Sequence, residues 1–301
     1  MHELSKARVT MKISRAIVGA STSPKRHEID ARWLMAYAAA LGETAPEYFD
    51  TTRPEGIMAH PLFPVCYEWP LALQLRAATL EDAIAMRGVH ATHDLTLHRL
   101  SSPGDHLLTT ARIVAVEPRT PGAYVLSRFE TVDGQGRPVS TTDYGSLYRG
   151  VDCDGGAPRE KDQAPTRPPR EPNETARADW SVMVGIPPTL AHVYTECARI
   201  CNPIHTDRAI AQAAGLPDII LHGTATLALA VSAVLHHAPA ATARAVRSIT
   251  CRFSGMVRLP SAITVLGSQP SEGGDKNAIH FQVRDIQGRP AITQGVVVLA
   301  C

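Results

Sequence analysis

The hexapeptide DGQGRP occupies residues 133–138, and DIQGRP occupies residues 285–290. Two nearly identical hexapeptides half a chain apart point to duplication, because their flanks agree as well. Phe129 and Phe281 each stand four residues ahead of the aspartate, inside runs rich in β-formers. A glycine-containing turn between two such runs reads as a β-hairpin. The chain of 301 residues is therefore expected to hold two copies of one module.

The repeat extends backward from the hairpins. YAAALGETAP (37–46) and YTECARICNP (194–203) both run from Tyr to Pro over the same spacing. Each follows a helix-start signal: Asp30 in the first copy, and the prolines of PPTLAHVYTECARI in the second. Asn-Pro is expected to end the second of these helices, because proline disfavours αR at the residue before it. IMAHPLF (57–63) aligns with ILHGTAT (220–226), each followed by an apolar helical stretch. HRLSSPGDHLLTTARIVAV (98–116) aligns with VRLPSAITVLGSQ (257–269), both read as strand, turn and strand. Each module is thus a short helix, a loop, a long apolar helix and three or four strands. In the second, a Val-rich strand around Val182–Val184 comes first. Helix TATLALAVSAVL (224–235) is apolar nearly all round, so it should be buried. An antiparallel sheet with helices on one face is an α+β layering. The Pro-, Gly- and charge-rich stretch at 152–179 reads as an extended linker, which divides the chain into 1–150, a linker at 151–178, and 179–301.

Composition narrows the function. A net charge of +1 leaves no basic footprint for nucleic acid. No apolar run reaches the length of a membrane span, and the N-terminal stretch lacks the apolar core of a signal peptide. Six cysteines without framework spacing read as reduced thiols in a cytoplasmic protein.

The chemistry concentrates in CNPIHTDRAIAQAAGLPDIILHG (201–223). Asn202 can pin the loop through its side-chain amide. His205 follows on the loop, Asp207 is placed to cap the next helix, and Gly215 to end it. Gly223 opens the long buried helix, where backbone N–H groups are unpaired and a ligand can approach the main chain closely. Free donors there can hold a carbonyl oxygen as charge builds on it, and an imidazole can move a proton beside it.

These residues resemble a family. Y-x5-I-C-N-P-I-H-x-D followed by LHG is similar to the signature of MaoC-like, R-specific enoyl-CoA hydratases (hydratase 2). The resemblance spans both halves and is weaker in the first. It implies a double hot-dog fold, in which each half wraps a curved antiparallel sheet around a long helix. It implies a hydratase or dehydratase of 2-enoyl and 3-hydroxyacyl thioesters, with acyl-CoA or acyl-carrier protein as substrate and partner. No separate cofactor is implied, since CoA enters as part of the substrate, and a homodimer formed through exposed sheet edges is expected.

By the resemblance Asn202, Pro203 and His205 take the places of the family's Asn, Pro and His, and Gly223 that of its oxyanion donor. The family's catalytic Asp falls on Ile200, and its preceding Ser-Gly on Ala198 and Arg199. Isoleucine neither hydrogen-bonds nor takes a proton, so a partner subunit that binds acyl thioesters is a second reading, and a hot-dog thioesterase a third. In the first half Glu43 holds the Asp place, but Ala45, Tyr48 and Pro61 replace Asn, His and Gly, leaving that half to enclose the acyl chain. His222, whose counterpart His60 persists in the first half, is read as packing or capping, with a weaker place in substrate binding. Arg199 is a surface or ion-pair residue that could meet a substrate phosphate or carboxylate. Arg252 and Arg258 read as sheet-surface residues. Cys197 and Cys201 share a helix face at i,i+4, but with His205 they lack a fourth metal ligand, so no metal site is assigned.

Overall fold

The turn that is written twice in the sequence is built twice in space. Asp133 Oδ1 accepts from the N–H groups of Gln135 (2.9 Å) and Arg137 (3.0 Å), and Arg137 Nε donates back to Oδ2 at 2.9 Å. Asp285 repeats each bond with Gln287 (2.9 Å), Arg289 (2.9 Å) and Arg289 Nε (2.8 Å). Gly136 and Gly288 sit at φ 78° and 76°, where a Cβ is disfavoured. The hexapeptide therefore recurs because its Asp, Gln, Gly and Arg positions each serve the turn.

The computed structural model describes residues 11–154, 178–237, 242–268 and 276–300. The first half runs β1 (Lys12–Ile13), β2 (Lys25–Ile29), α1 (Ala31–Ala40), α2 (Pro46–Phe49), α3 (Pro64–Thr79), α4 (Asp82–Ala85), β3 (Gly88–Leu97), β4 (Asp105–Arg119), β5 (Gly122–Asp133), β6 (Pro138–Arg149) and β7 (Asp152–Cys153). The second runs β8 (Trp180–Ile186), α5 (Leu190–Ala198), α6 (Arg208–Ala213), α7 (Gly223–His237), β9 (Val246–Phe253), β10 (Ser261–Ser268), β11 (Ala278–Asp285) and β12 (Pro290–Leu299). The strand order is β2-β4-β5-β6-β3 in one half and β8-β10-β11-β12-β9 in the other, the same permutation. The halves join where β3 pairs antiparallel with β9, from Thr92↔Arg252 to Thr96↔Ser248, giving one ten-stranded sheet. This is the double hot-dog architecture of the α+β class.

Both halves open with a strand, and the sequence revealed only the second. β2 reads KRHEI, largely charged, because it is a sheet edge that pairs only with β4 and buries just His27 and Ile29. Asp152 and Cys153, assigned above to the linker, instead pair in parallel with Lys12 and Ile13. The remainder of that stretch, 155–177, lies outside the described residues.

The helices follow their local signals. Asp30 caps α1 by accepting from Trp33 N–H at 2.7 Å. Asp207 caps α6 through Ala209 and Ile210 N–H at 2.8 and 3.2 Å. α7 is buried continuously from Ala225 to Val234 and packs on β8, β10, β11 and β12. Leu34, Tyr37 and Phe63 of the first half share one apolar core with Tyr194, Ile200 and Leu227 of the second. The five described cysteines are unpaired thiols. Among the described residues no helix is long and apolar enough to cross a membrane.

One buried acid works against this core. Glu68 on α3 is 4% exposed, and Thr142 Oγ1 donates to its Oε1 at 2.6 Å. Burial outweighs that bond and pushes its pKa up to about 8. The unfolded carboxyl ionises near 4.5, so the folded state holds the proton over a wider range and stability declines as pH rises from about 4.5 to 8. Glu68→Gln keeps an acceptor for Thr142 and removes the ionisation. We expect it to raise stability at pH 8 by on the order of 3 kcal/mol and to change little near pH 4, as measured by urea melts at both pH values.

Candidate active site

The site forms where the end of α5, the loop after it and the start of α7 converge. α5 stops at Ala198, ahead of the Asn-Pro pair expected to end it. Arg199 caps the helix in the left-handed region at φ 58°. The resemblance sets a glycine at this position, and the backbone conformation is one that glycine adopts more readily. Asn-Pro instead opens a 3-10 turn over Pro203–His205. Asn202 holds that turn with its backbone, its carbonyl accepting from His205 N–H at 3.0 Å, and its side chain makes no capping bond. The expected side-chain pin is thus replaced by a main-chain one. Because the helix ends at Ala198, Cys197 and Cys201 do not share a helix face, and Cys201 is exposed. Among the described residues no cluster of His, Cys, Asp or Glu could hold a metal ion.

His205 is buried at 9% exposure, with its ring fixed on two sides. Nδ1 lies 2.8 Å from the carbonyl oxygen of Ile220. A carbonyl only accepts, so Nδ1 carries the proton and Nε2 is left as a lone pair. The ring stacks on His222 with centroids 3.7 Å apart. Burial lowers the His205 pKa to about 4, against the opposing effect of the Ile220 bond. His222 Nε2 lies 3.2 Å from Thr195 Oγ1 and 3.3 Å from the Ile200 carbonyl. Burial, then the neighbouring His205, lowers its pKa to about 2. Both rings are neutral at pH 7, and His222 is packing that orients His205.

His222 also leads into the helix start. Its carbonyl accepts the first intrahelical bond, from Thr226 N–H at 3.0 Å. Among the described residues, no backbone carbonyl accepts from the N–H groups of Gly223, Thr224 or Ala225. Thr224 Oγ1 receives a bond from Tyr194 Oη at 3.1 Å, and Tyr194 meets Tyr37 of the first half at 3.4 Å. A Cβ on Gly223 would stand 3.2–3.6 Å from the Phe253 ring. Gly223→Ala is expected to leave thermal stability within about 1 kcal/mol, since the gain in helix propensity offsets the tight contact. It is also expected to narrow access to the free donors and reduce turnover, an effect seen as lower kcat at unchanged melting temperature.

The other candidates fall around this centre. Ile200 is 4% exposed within the core, so its side chain presents only hydrocarbon, while its carbonyl faces His222. Arg199 is exposed and holds its guanidinium 3.9 Å above the Trp33 ring. Arg252 and Arg258 lie exposed on the surface. Sequence reasoning missed the Ile220 carbonyl, Thr224 and the Tyr37–Tyr194 contact. A main-chain acceptor has no side-chain signature, though the paired tyrosines of the repeat were legible.

The equivalent place in the first half is closed. His60 Nδ1 accepts from Leu62 N–H at 3.1 Å, and its Nε2 meets Ser232 at 3.2 Å. Phe63, Val65 and Cys66 N–H all bond nearby carbonyls, and Pro61 and Pro64 have no N–H to offer. Glu43, at 6% exposure, lies 3.6 Å from His236.

The duplicated hot-dog is the architecture of the MaoC-like double hot-dog proteins, and here its histidine loop packs on His222 just ahead of the α7 start. Residues 164–287 match the MaoC-like domain, and residues 16–142 match the FAS1-like dehydratase domain region. The chain is 28% identical over 251 residues to 3-hydroxyacyl-thioester dehydratase Y of Mycobacterium tuberculosis, covering 81% of this chain and 83% of that one. The crystal structure of a MaoC-like dehydratase from Phytophthora capsici superposes with a TM-score of 0.80 at 20% identity, over 95% of this chain and 97% of that one. A Mycobacterium tuberculosis protein described as a double hotdog fold matches at TM-score 0.62 and 15% identity, over 94% and 96% of the two chains.

Proposed function

We propose that the protein hydrates trans-2-enoyl thioesters and, in reverse, dehydrates 3-hydroxyacyl thioesters, with CoA or an acyl-carrier protein as the thiol. The observation that carries this is the neutral His205, its proton fixed on Nδ1 by the Ile220 carbonyl and its ring stacked on His222, the residue that precedes the unpaired N–H groups of the α7 start. The relative named as a 3-hydroxyacyl-thioester dehydratase supports the same reading.

In hydration, the free donors of Gly223 and its neighbours hold the thioester oxygen. Nε2 of His205 takes a proton from water as the water oxygen bonds to Cβ. The π electrons move onto the carbonyl oxygen, where the N–H groups stabilise them. The resulting enolate collapses by taking the same proton from Nε2 at Cα. One base thus serves both transfers, and no second carboxylate is needed to balance the step. Asn202 stands at the loop that would orient the water. The test is the loss of enoyl-thioester absorbance when crotonyl-CoA is added. No loss above the uncatalysed rate would sink the proposal.

Ile200 favours one other reading, a subunit that binds acyl thioesters without turning them over. Saturable binding of crotonyl-CoA with no absorbance loss would establish it. Release of free thiol in the same mixture would instead indicate a thioesterase.

A further inference from the structure

One aromatic ring stands against the start of α7. Phe253 is the last residue of β9, on the strand face it shares with the buried Ile249 and Cys251. Its ring lies along Gly223: a Cβ added there would stand 3.2, 3.3 and 3.6 Å from its Cε1, Cδ1 and Cζ. The ring is thus in van der Waals range of the residue whose N–H is the first free donor of the helix. The first half holds the same ring. His90 of β3 lies 4.5 Å from it between centroids, and Tyr144 of β6 stacks on His90 at 3.7 Å and 14°. The contact forms at the seam, where Thr92 pairs with Arg252 next to Phe253. A half-buried ring held by a helix start and by a stacked pair has little freedom to swing aside.

A thioester carbonyl held by the α7 donors has two substituents, the sulfur and the acyl Cα. The sulfur leads to a large polar carrier, which belongs on the solvent side. The acyl group is apolar and belongs on the core side. Phe253 packs against the apolar core that the two halves share, so it stands on the acyl side. We propose that Phe253 sets the substrate class of this site, admitting acyl groups unbranched at Cα and excluding those that carry a substituent there. The proposal rests on the hydratase reading, which puts the thioester oxygen at the α7 start. Its basis is steric. The acyl Cα is one bond from the carbonyl carbon, so a methyl on it meets the wall that flanks the donors. A ring that cannot yield turns that contact into discrimination, and one carbon in an apolar pocket is worth about 10–200-fold.

Isomeric saturated thioesters isolate the branch. Butanoyl-CoA and 2-methylpropanoyl-CoA contain the same atoms, differ in the branch at Cα, and have no double bond to hydrate. Calorimetric titration of each into the full-length protein therefore reads fit alone. Wild type is expected to bind butanoyl-CoA roughly tenfold or more tightly than its isomer. Phe253→Leu keeps an apolar side chain and removes the ring, and is expected to bring the two affinities together. Phe253→Met, an unbranched and flexible side chain, is expected to do the same and stands in if the leucine variant does not fold. Melting temperatures show which variants are folded. Turnover gives a second readout: the ratio of kcat/KM for crotonyl-CoA over 2-methylcrotonyl-CoA should fall about tenfold from wild type to variant. A wild type that binds the two isomers equally, or an affinity ratio unchanged in the folded variants, overturns the proposal. Its failure is separable from that of the hydratase reading. Discrimination in binding that vanishes in the variants, without loss of enoyl absorbance in any protein, upholds the role of Phe253 and removes the hydratase. Hydration of both enoyl thioesters at equal rates does the reverse, and binding of neither isomer removes both.

Discussion

Replacing His205 with glutamine is expected to lower kcat/KM for crotonyl-CoA by about 10²–10⁴, the usual contribution of a positioned acid–base group. Glutamine is the informative choice because its amide N–H can still donate toward the Ile220 carbonyl, which His205 Nδ1 engages at 2.8 Å. The loss then reports the missing lone pair and not a collapsed loop. Alanine would leave that buried carbonyl without its partner and remove the stack on His222, so it mixes stability with chemistry. The neutral ring also sets a pH signature. With its pKa held near 4 by burial, His205 stays a base through the neutral range, so kcat should show no acid limb between about pH 6 and 8, above the range where acid unfolds the fold. Steady-state rates for the wild type and His205→Gln, with melting temperatures alongside, check both points. A variant that keeps wild-type kcat/KM would remove His205 from the mechanism.

Acid should unfold the protein unusually early. His60, His93, His205 and His222 are all buried and neutral, with folded pKa values of about 3, 4, 4 and 2 against 6.5 for the free ring. Burial is the leading cause in each. An unfolded imidazole takes its proton near pH 6.5, while the folded one waits until well below. Between those values the unfolded state binds more protons, so stability is full above about 6.5 and falls as pH drops toward the folded pKa. Each independent ring contributes on the order of 3 kcal/mol to that loss, with His205 and His222 acting as one stacked pair. The total rivals the 5–15 kcal/mol by which domains are stable, so cooperative loss of structure is expected between about pH 6 and 4. His93 offers the cleanest test. It is 1% exposed, neither ring nitrogen has a partner among the described residues, and it lies outside the site. His93→Leu should move the acid midpoint, followed by circular dichroism, to lower pH. A midpoint unchanged in that variant would show that buried histidines do not set it.

Much of this protein can be read from local signals, because those signals act over a few residues. DGQGRP and DIQGRP form the same turn because Asp133 and Asp285 each reach residues two and four positions along their own chain. Asp30 and Asp207 cap the helices they precede for the same reason. The burial of α7 follows from a run of side chains with no polar face. The duplication, the hot-dog order of elements, and the pairing of a histidine loop with a glycine helix start were therefore legible in order of residues alone.

Tertiary structure decided the rest. Charged KRHEI becomes a strand only because β4 offers it an edge, and the two sheets become one only where β3 meets β9. Arg199 takes the left-handed cap that ends α5 before the Asn-Pro pair can act. The proton on His205 is placed by a main-chain carbonyl fifteen residues away, and the ring is held neutral by the packing around it. Turn and cap chemistry is local and travels with the residues that carry it. Desolvation, tautomer choice and the absence of a partner are properties of surroundings, and the fold alone supplies those.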